Sequence, residues 1–226
     1  MFQISDNWKA TYPQAHAGVL VMNEVENPPH HAALDERKIL LEKQLRERFA
    51  GQDRLAIAKL PALQAYEAYY RRFNKTYHVQ LQLESIAFKG KSIPSVAALV
   101  EAMFMAEVNH LLLTAGHDLD ALQLPVTLDV SSGGERYTLL RGQEQELKPG
   151  DMFISDRAGI MSSILYGPDQ RTQIQAQTRN VMFTVYAPAG IAEEAIRQHL
   201  QEIQRHVLLV TPGARVGLLK VYGAKS

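Results

Sequence analysis

The stretch Ser95-Val-Ala-Ala-Leu-Val-Glu-Ala-Met-Phe-Met-Ala-Glu-Val-Asn-His-Leu-Leu-Leu-Thr-Ala-Gly116 decides how the rest of the chain is read. Val96, Leu99, Val100, Met103, Phe104, Val108, Leu111 and Leu112 recur at helical spacing and leave little polar face. The spacing predicts the longest helix of the chain over 95–114, with Gly116 at its C′ position. A helix apolar around most of its circumference is central, so it is expected to pack on the strands that follow. Upstream, Leu34, Leu41, Leu45 and Phe49 mark a helix that ends at Gly51, and 61–74 reads as another. Before them, Gly18-Val-Leu-Val-Met22 reads as a strand buried on both faces, closed by Asn27-Pro-Pro. Downstream, short strands are expected at 126–130, 137–140, 152–154, 160–166 and 181–186, separated by Gly, Pro and Asp turns. Ala192, Ile196, Leu200, Ile203 and Val207 then mark a helix, and 215–222 a last strand. Helices first, then a run of strands, then a helix argue for an α+β fold with a mixed sheet. Residues 1–60 are expected to form strands and a helix packed on a main domain of 61–226.

Composition excludes several classes of function. Lys plus Arg and Asp plus Glu are each 24 in 226 residues, so the chain does not coat nucleic acid by charge alone. There is no cysteine, which removes disulfides, thiolate metal sites and a Cys nucleophile. No apolar run approaches the ~20 residues of a membrane span, and the first residues lack a signal-peptide pattern. A soluble, cytoplasmic protein is expected, without a membrane association.

No Walker A loop, G-x-G-x-x-G, G-x-S-x-G or H-E-x-x-H is present. Ser131-Ser-Gly-Gly-Glu135 reads as a hairpin turn. His30-His31 and the group His110, His117, Asp118 and Asp120 have metal-binding chemistry, but no metal or other cofactor is expected. Tyr66, Tyr69, Tyr70, Arg71 and Arg72 could stack on and neutralise RNA; their apolar spacing favours core packing of the tyrosines.

Val100-Glu-Ala-Met-Phe-Met-Ala-Glu-Val-Asn-His-Leu-Leu-Leu-Thr-Ala-Gly-His-Asp-Leu-Asp-Ala-Leu122 resembles a motif of the B3/B4 editing domain of the phenylalanyl-tRNA synthetase β chain. Three further blocks follow in the family's order. They are Tyr137–Gly142 with Leu147–Asp156, then Ser162-Ser-Ile-Leu-Tyr-Gly-Pro-Asp169, then Gln177-Thr-Arg-Asn-Val-Met-Phe183. The likeness runs from about Tyr69 to Gly190, and the rest of a synthetase is absent, so the resemblance implies a freestanding version. It implies an aminoacyl-tRNA deacylase acting in trans on mischarged tRNA. The alternative is a module that binds a tRNA end, an amino acid or a small metabolite without hydrolysis; a minor third is a structural protein.

Through the resemblance the family's acid maps to Asp169, its Gly-Gly to Ser162 and Ser163, and its Thr to Thr178. The departures are Ala115 for the family's His and Phe104 for its Asn. An activated ester needs a placed water and donors for the oxyanion. The segment 162–172 carries that composition in Ser162, Ser163, Tyr166, Gly167, Asp169, Arg171 and Thr172, which are expected to bind substrate around a catalytic Asp169. His117 beside Asp118 is either a general base or a polar cap of the helix end. His117 and Asp169 are expected to line one pocket.

Overall fold

The computed structural model describes residues 1–224. In chain order its elements are β1 (Phe2–Ile4), α1 (Asp6–Thr11), β2 (His16–Asn23), α2 (Ala32–Arg48), α3 (Arg54–Ile57), α4 (Pro61–Arg71), α5 (His78–Ala87) and α6 (Ala98–His110). Then come β3 (Thr114–Asp118), β4 (Val126–Val130), β5 (Arg136–Thr138), β6 (Glu144–Glu146), β7 (Met152–Asp156), β8 (Gly159–Ser163), β9 (Gly167–Pro168), β10 (Asn180–Ala187), α7 (Glu193–Val210) and β11 (Arg215–Gly223). The architecture is α+β. One sheet has the order β1-β4-β7-β8-β9, with β1 and β4 parallel and the other pairs antiparallel. A second, antiparallel sheet runs β11-β2-β10-β3, and β5-β6 is a small ribbon.

The apolar run at Gly18–Met22 is buried because β2 lies between β11 and β10 while α7 covers one face. Gly18 permits that approach: a Cβ there would lie 2.5 Å from Ile196 Cγ2. α7 turns Ile196, Leu200, Ile203 and Val207 inward and places Glu193 and Glu194 in its first turn, where the dipole favours them.

The decisive stretch behaves differently from its spacing. α6 spans 13 residues, not twenty, and α2 and α7 are longer. It packs chiefly on α7, with α2 and α5, and reaches a sheet at β3 rather than across the strands of 126–186. The helix stops because Leu111 takes a left-handed conformation, φ 62°. Distant side chains receive the backbone groups freed there. Glu107 accepts from Thr114 N (2.7 Å), Tyr66 Oη accepts from Leu113 N (2.9 Å), and Tyr77 Oη donates to Leu111 O (3.2 Å). At the other end Asn27 Oδ1 accepts from Leu99 N (2.9 Å). Gly116 is therefore no helix cap. It lies in β3 opposite Phe183, and a Cβ on it would sit 2.7 Å from Ile174 Cδ1.

Smaller departures have local causes. The strand expected at 160–166 ends at Ser163, whose hydroxyl accepts from Tyr166 N (3.1 Å) and starts a turn. The strand expected at 137–140 is confined to Arg136–Thr138, and Leu139 makes a single bridge to Asp169. α5 went unread in the sequence, because Val79, Leu83 and Ile86 give it only a thin apolar stripe. Tyr66, Tyr69 and Tyr70 are buried, so they build the core and not an RNA-stacking surface.

Candidate functional site

The break between α6 and β3 leaves a cavity of about 260 Å³. Val100, Met103 and Phe104 of α6, Thr114–Gly116 of β3, and the 163–168 segment enclose it. Its wall is mostly apolar, with polar groups at His78, Glu107, Thr114, Ser163, Gln173 and Tyr186. An apolar cavity with a few converging polar groups is the usual form of a small-molecule site.

Glu107 is the acid of this wall. Burial pushes its carboxyl up to about 8, against the pull of the Thr114 N–H. The group is therefore mostly neutral at pH 7. Thr114 Oγ1 lies 2.6 Å from His199 Nε2, behind the wall.

Of the residues expected to form the site, Ser163 and Gly167 line the cavity. Ser162, His117, Thr172 and Asp169 are buried and joined in one hydrogen-bonded chain. Asp169 Oδ1 accepts from both the N–H and the hydroxyl of Thr172. The Thr172 oxygen must then accept from His117 Nδ1 (2.7 Å), which leaves His117 Nε2 to accept from the Ser162 hydroxyl (3.3 Å). Ser162 Oγ meets Tyr186 Oη, and Tyr186 borders the cavity. Burial, and next Arg171, push the His117 imidazole down to about 3. A neutral ring with both nitrogens occupied is no ready general base for a ligand in the cavity. It is not a helix cap either, because 114–118 is a strand.

His117 and Asp169 thus share a network, but the expectation that they line one pocket fails. Neither borders the cavity, and Asp169 faces a separate groove with Tyr137 and Arg171. Arg171 is held by Asp156 through two bonds (2.9 and 2.8 Å), and its Nε lies 3.6 Å from Asp169 Oδ2. Asp118 accepts from Thr178 Oγ1 (2.6 Å) and from Asp120 N (3.0 Å), which ties the end of β3 to the 175–178 turn. Tyr166 is half-buried beneath Lys75, whose Nζ is 4.4 Å from the ring centre.

Sequence reasoning missed His78, Glu107, Thr114, Gln173 and Tyr186. A signal existed for Glu107, a charged residue at an inward position beside Met103, Phe104 and Val108. Thr114 and Tyr186 carried none, since only the left-handed turn at Leu111 brings β3 and β10 to the cavity.

The B3/4 domain family profile matches residues 63–207. The phenylalanine–tRNA ligase β subunit of Anaeromyxobacter dehalogenans is 29% identical over 119 residues, covering 48% of this chain and 14% of that protein. That of Mycoplasma pneumoniae is 29% identical over 87 residues, 38% of this chain and 10% of its own length. The chain thus spans a small part of the curated relatives it matches. An N-terminal fragment of the Pyrococcus horikoshii phenylalanyl-tRNA synthetase β subunit superposes with a TM-score of 0.48 at 11% identity, covering 96% of this chain and 50% of the fragment. On the extent of the profile match, the chain belongs to the B3/4 domain family.

Proposed function

We propose that the cavity between α6, β3 and the 163–168 segment receives the amino-acid end of a mischarged tRNA, and that the chain hydrolyses the ester in trans. The observation that carries this reading is the cavity itself: apolar walls for a side chain, with Ser163, Thr114 and Tyr186 as hydrogen-bonding groups. Supporting it, the curated relatives are subunits of a tRNA ligase. The ester is already activated, so its hydrolysis asks for orientation of the carbonyl, exclusion of the wrong water and stabilisation of one developing oxyanion. The backbone of the Gly167 turn is the group we assign to the carbonyl. The Asp169–Thr172–His117–Ser162 chain holds the end of β8 that carries Ser163, and Asp118 with Thr178 fixes the end of β3; these act as positioning residues. Arg171, tied to Asp156, anchors the 169–172 turn. No cofactor is needed for this chemistry. Its partner would be charged tRNA, and its place the cytoplasm.

The second reading is a module that binds the same ligand without hydrolysis. The engagement of both His117 nitrogens favours it, because it removes that imidazole as a base and leaves the wall only His78, whose proton affinity burial lowers. Ester release from a panel of mischarged tRNAs separates the two. Turnover on at least one supports the enzyme; binding of amide-linked aminoacyl-adenosines with no turnover on any supports the module.

A further inference from the structure

We propose that Ser163 and Asp151 form a hydroxyl–carboxylate pair in the cavity wall that receives the ammonium group of an α-amino acid, with Ser163 touching the ligand and Asp151 positioning Ser163. The proposal rests on the amino-acid reading of the cavity and adds the group by which the ligand is held.

Asp151 immediately precedes β7 and is completely buried. Tyr69 Oη donates to its Oδ1 (2.9 Å), while its Oδ2 has no close hydrogen-bond partner among the described residues. A buried carboxylate oxygen without a close donor is costly to keep. In the β7–β8 ladder Phe153 stands opposite Ser163. Asp151, two residues before Phe153, projects to the same face. There the Ser163 hydroxyl and the Leu165 backbone lie beside the carboxylate and favour its charged form.

The consequence follows from counting lone pairs. Ser163 Oγ accepts one hydrogen bond from Tyr166 N, and the Tyr137 hydroxyl beside it spends its own hydrogen on Gly167 O (2.7 Å). When its own hydrogen turns to Asp151, a lone pair is left for a donor arriving in the cavity that Ser163 lines. The wall then presents an acceptor backed by a negative charge, which recognises a cationic N–H donor and not an anion. The groups around Asp151 are Tyr69 and Tyr70 from α4, Tyr137 from β5, Tyr186 from β10, Tyr166, and Lys75. Each tyrosine is kept protonated by burial and, next, by charged or titrating neighbours that include Asp151. Burial lifts the Asp151 carboxyl to about 7. Near neutral pH the carboxylate is therefore only part of the population, and an arriving ammonium favours it.

The test uses the full chain and 3′-amide-linked leucyl-, methionyl- and phenylalanyl-adenosine, each with its counterpart lacking the α-amino group. Affinities are measured for wild type, Asp151→Asn and Ser163→Ala. Asn retains an acceptor for Tyr69. In wild type, removal of the amino group is expected to weaken binding about ten- to a hundred-fold. Either variant should lose about that factor for the amino probes and little for the deamino ones. Between pH 5.5 and 7, where the probe's amine stays protonated, affinity should rise more steeply in wild type than in Asp151→Asn, because His78 of the wall is common to both. Equal binding of amino and deamino probes, or a loss in Glu107→Gln but in neither of the pair's variants, overturns the proposal alone. No binding of any probe overturns both it and the amino-acid reading. An infrared titration of the unliganded protein checks the pair directly. The carboxyl band missing from Asp151→Asn should titrate near 7 and move up in Ser163→Ala; an unmoved band refutes the pair.

Discussion

Glu107→Gln is predicted to abolish a pH-dependent loss of stability. The folded protein holds this carboxyl at about 8, against an ordinary value of 4.5. Below pH 4.5 the group is protonated in both folded and unfolded chains and adds nothing to the pH dependence. Between 4.5 and 8 the folded chain keeps a proton that the unfolded chain releases, so stability falls as pH rises. Above 8 the loss is complete. Each tenfold in proton affinity is worth about 1.4 kcal/mol, so the full loss is about 5 kcal/mol. That figure is an upper bound, because the cavity admits water. Glutamine still accepts from Thr114 N and cannot ionise. The two proteins should thus be close in stability at pH 5. At pH 8.5 the variant should be the more stable by up to that amount, or up to about 10–20 °C in Tm for a chain of this size. Asp151 titrates in the same direction but is present in both proteins, so it cancels in the difference. Denaturant unfolding at the two pH values is the assay. Parallel pH curves for wild type and Glu107→Gln would refute the burial argument.

Other predictions follow from single contacts. Thr172→Val removes the hydroxyl between Asp169 and His117; Asp169 keeps the backbone N–H of residue 172, whereas His117 Nδ1 is stranded, and unfolding measurements should show a loss of about 1–3 kcal/mol. Tyr66→Phe deletes the hydroxyl that donates to Tyr186 O and accepts from Leu113 N. It should cost about 1–3 kcal/mol and speed amide exchange at Leu113, whereas unchanged exchange would show that the helix break does not depend on Tyr66.

Much of the fold was legible because its signals are local. The alternation of apolar runs with turn residues located β2, β4, β7, β10 and β11, and the four-three-four spacing located α7. Residues 98–110 read as helix for the same reason. What was not legible was the point where that helix ends. Leu111-Leu112-Leu113 carries no breaker, and the chain leaves the helix only because Glu107, Tyr66 and Tyr77 take over its backbone groups. Two of these three lie more than thirty residues upstream. That single turn moves His117 from a helix end to a buried strand and brings Thr114 and Tyr186 together at the cavity. The candidate site was legible in part for the same reason. Ser163 and Gly167 came from local turn chemistry and a family likeness, whereas Asp169 has turn chemistry but faces another groove. Asp151 sits in a Lys-Pro-Gly-Asp turn, and nothing in that tetrapeptide says its side chain points inward.

The most direct test of the central claim is ester release from mischarged tRNAs by wild type and by Val100→Trp. Val100 lines the cavity from a half-buried position on α6, so an indole there should fill the space without breaking the helix. Hydrolysis of at least one aminoacyl-tRNA by wild type, lost in Val100→Trp with its melting temperature retained, is the predicted result. Undiminished hydrolysis in a folded Val100→Trp would place the activity elsewhere on the chain and contradict the account.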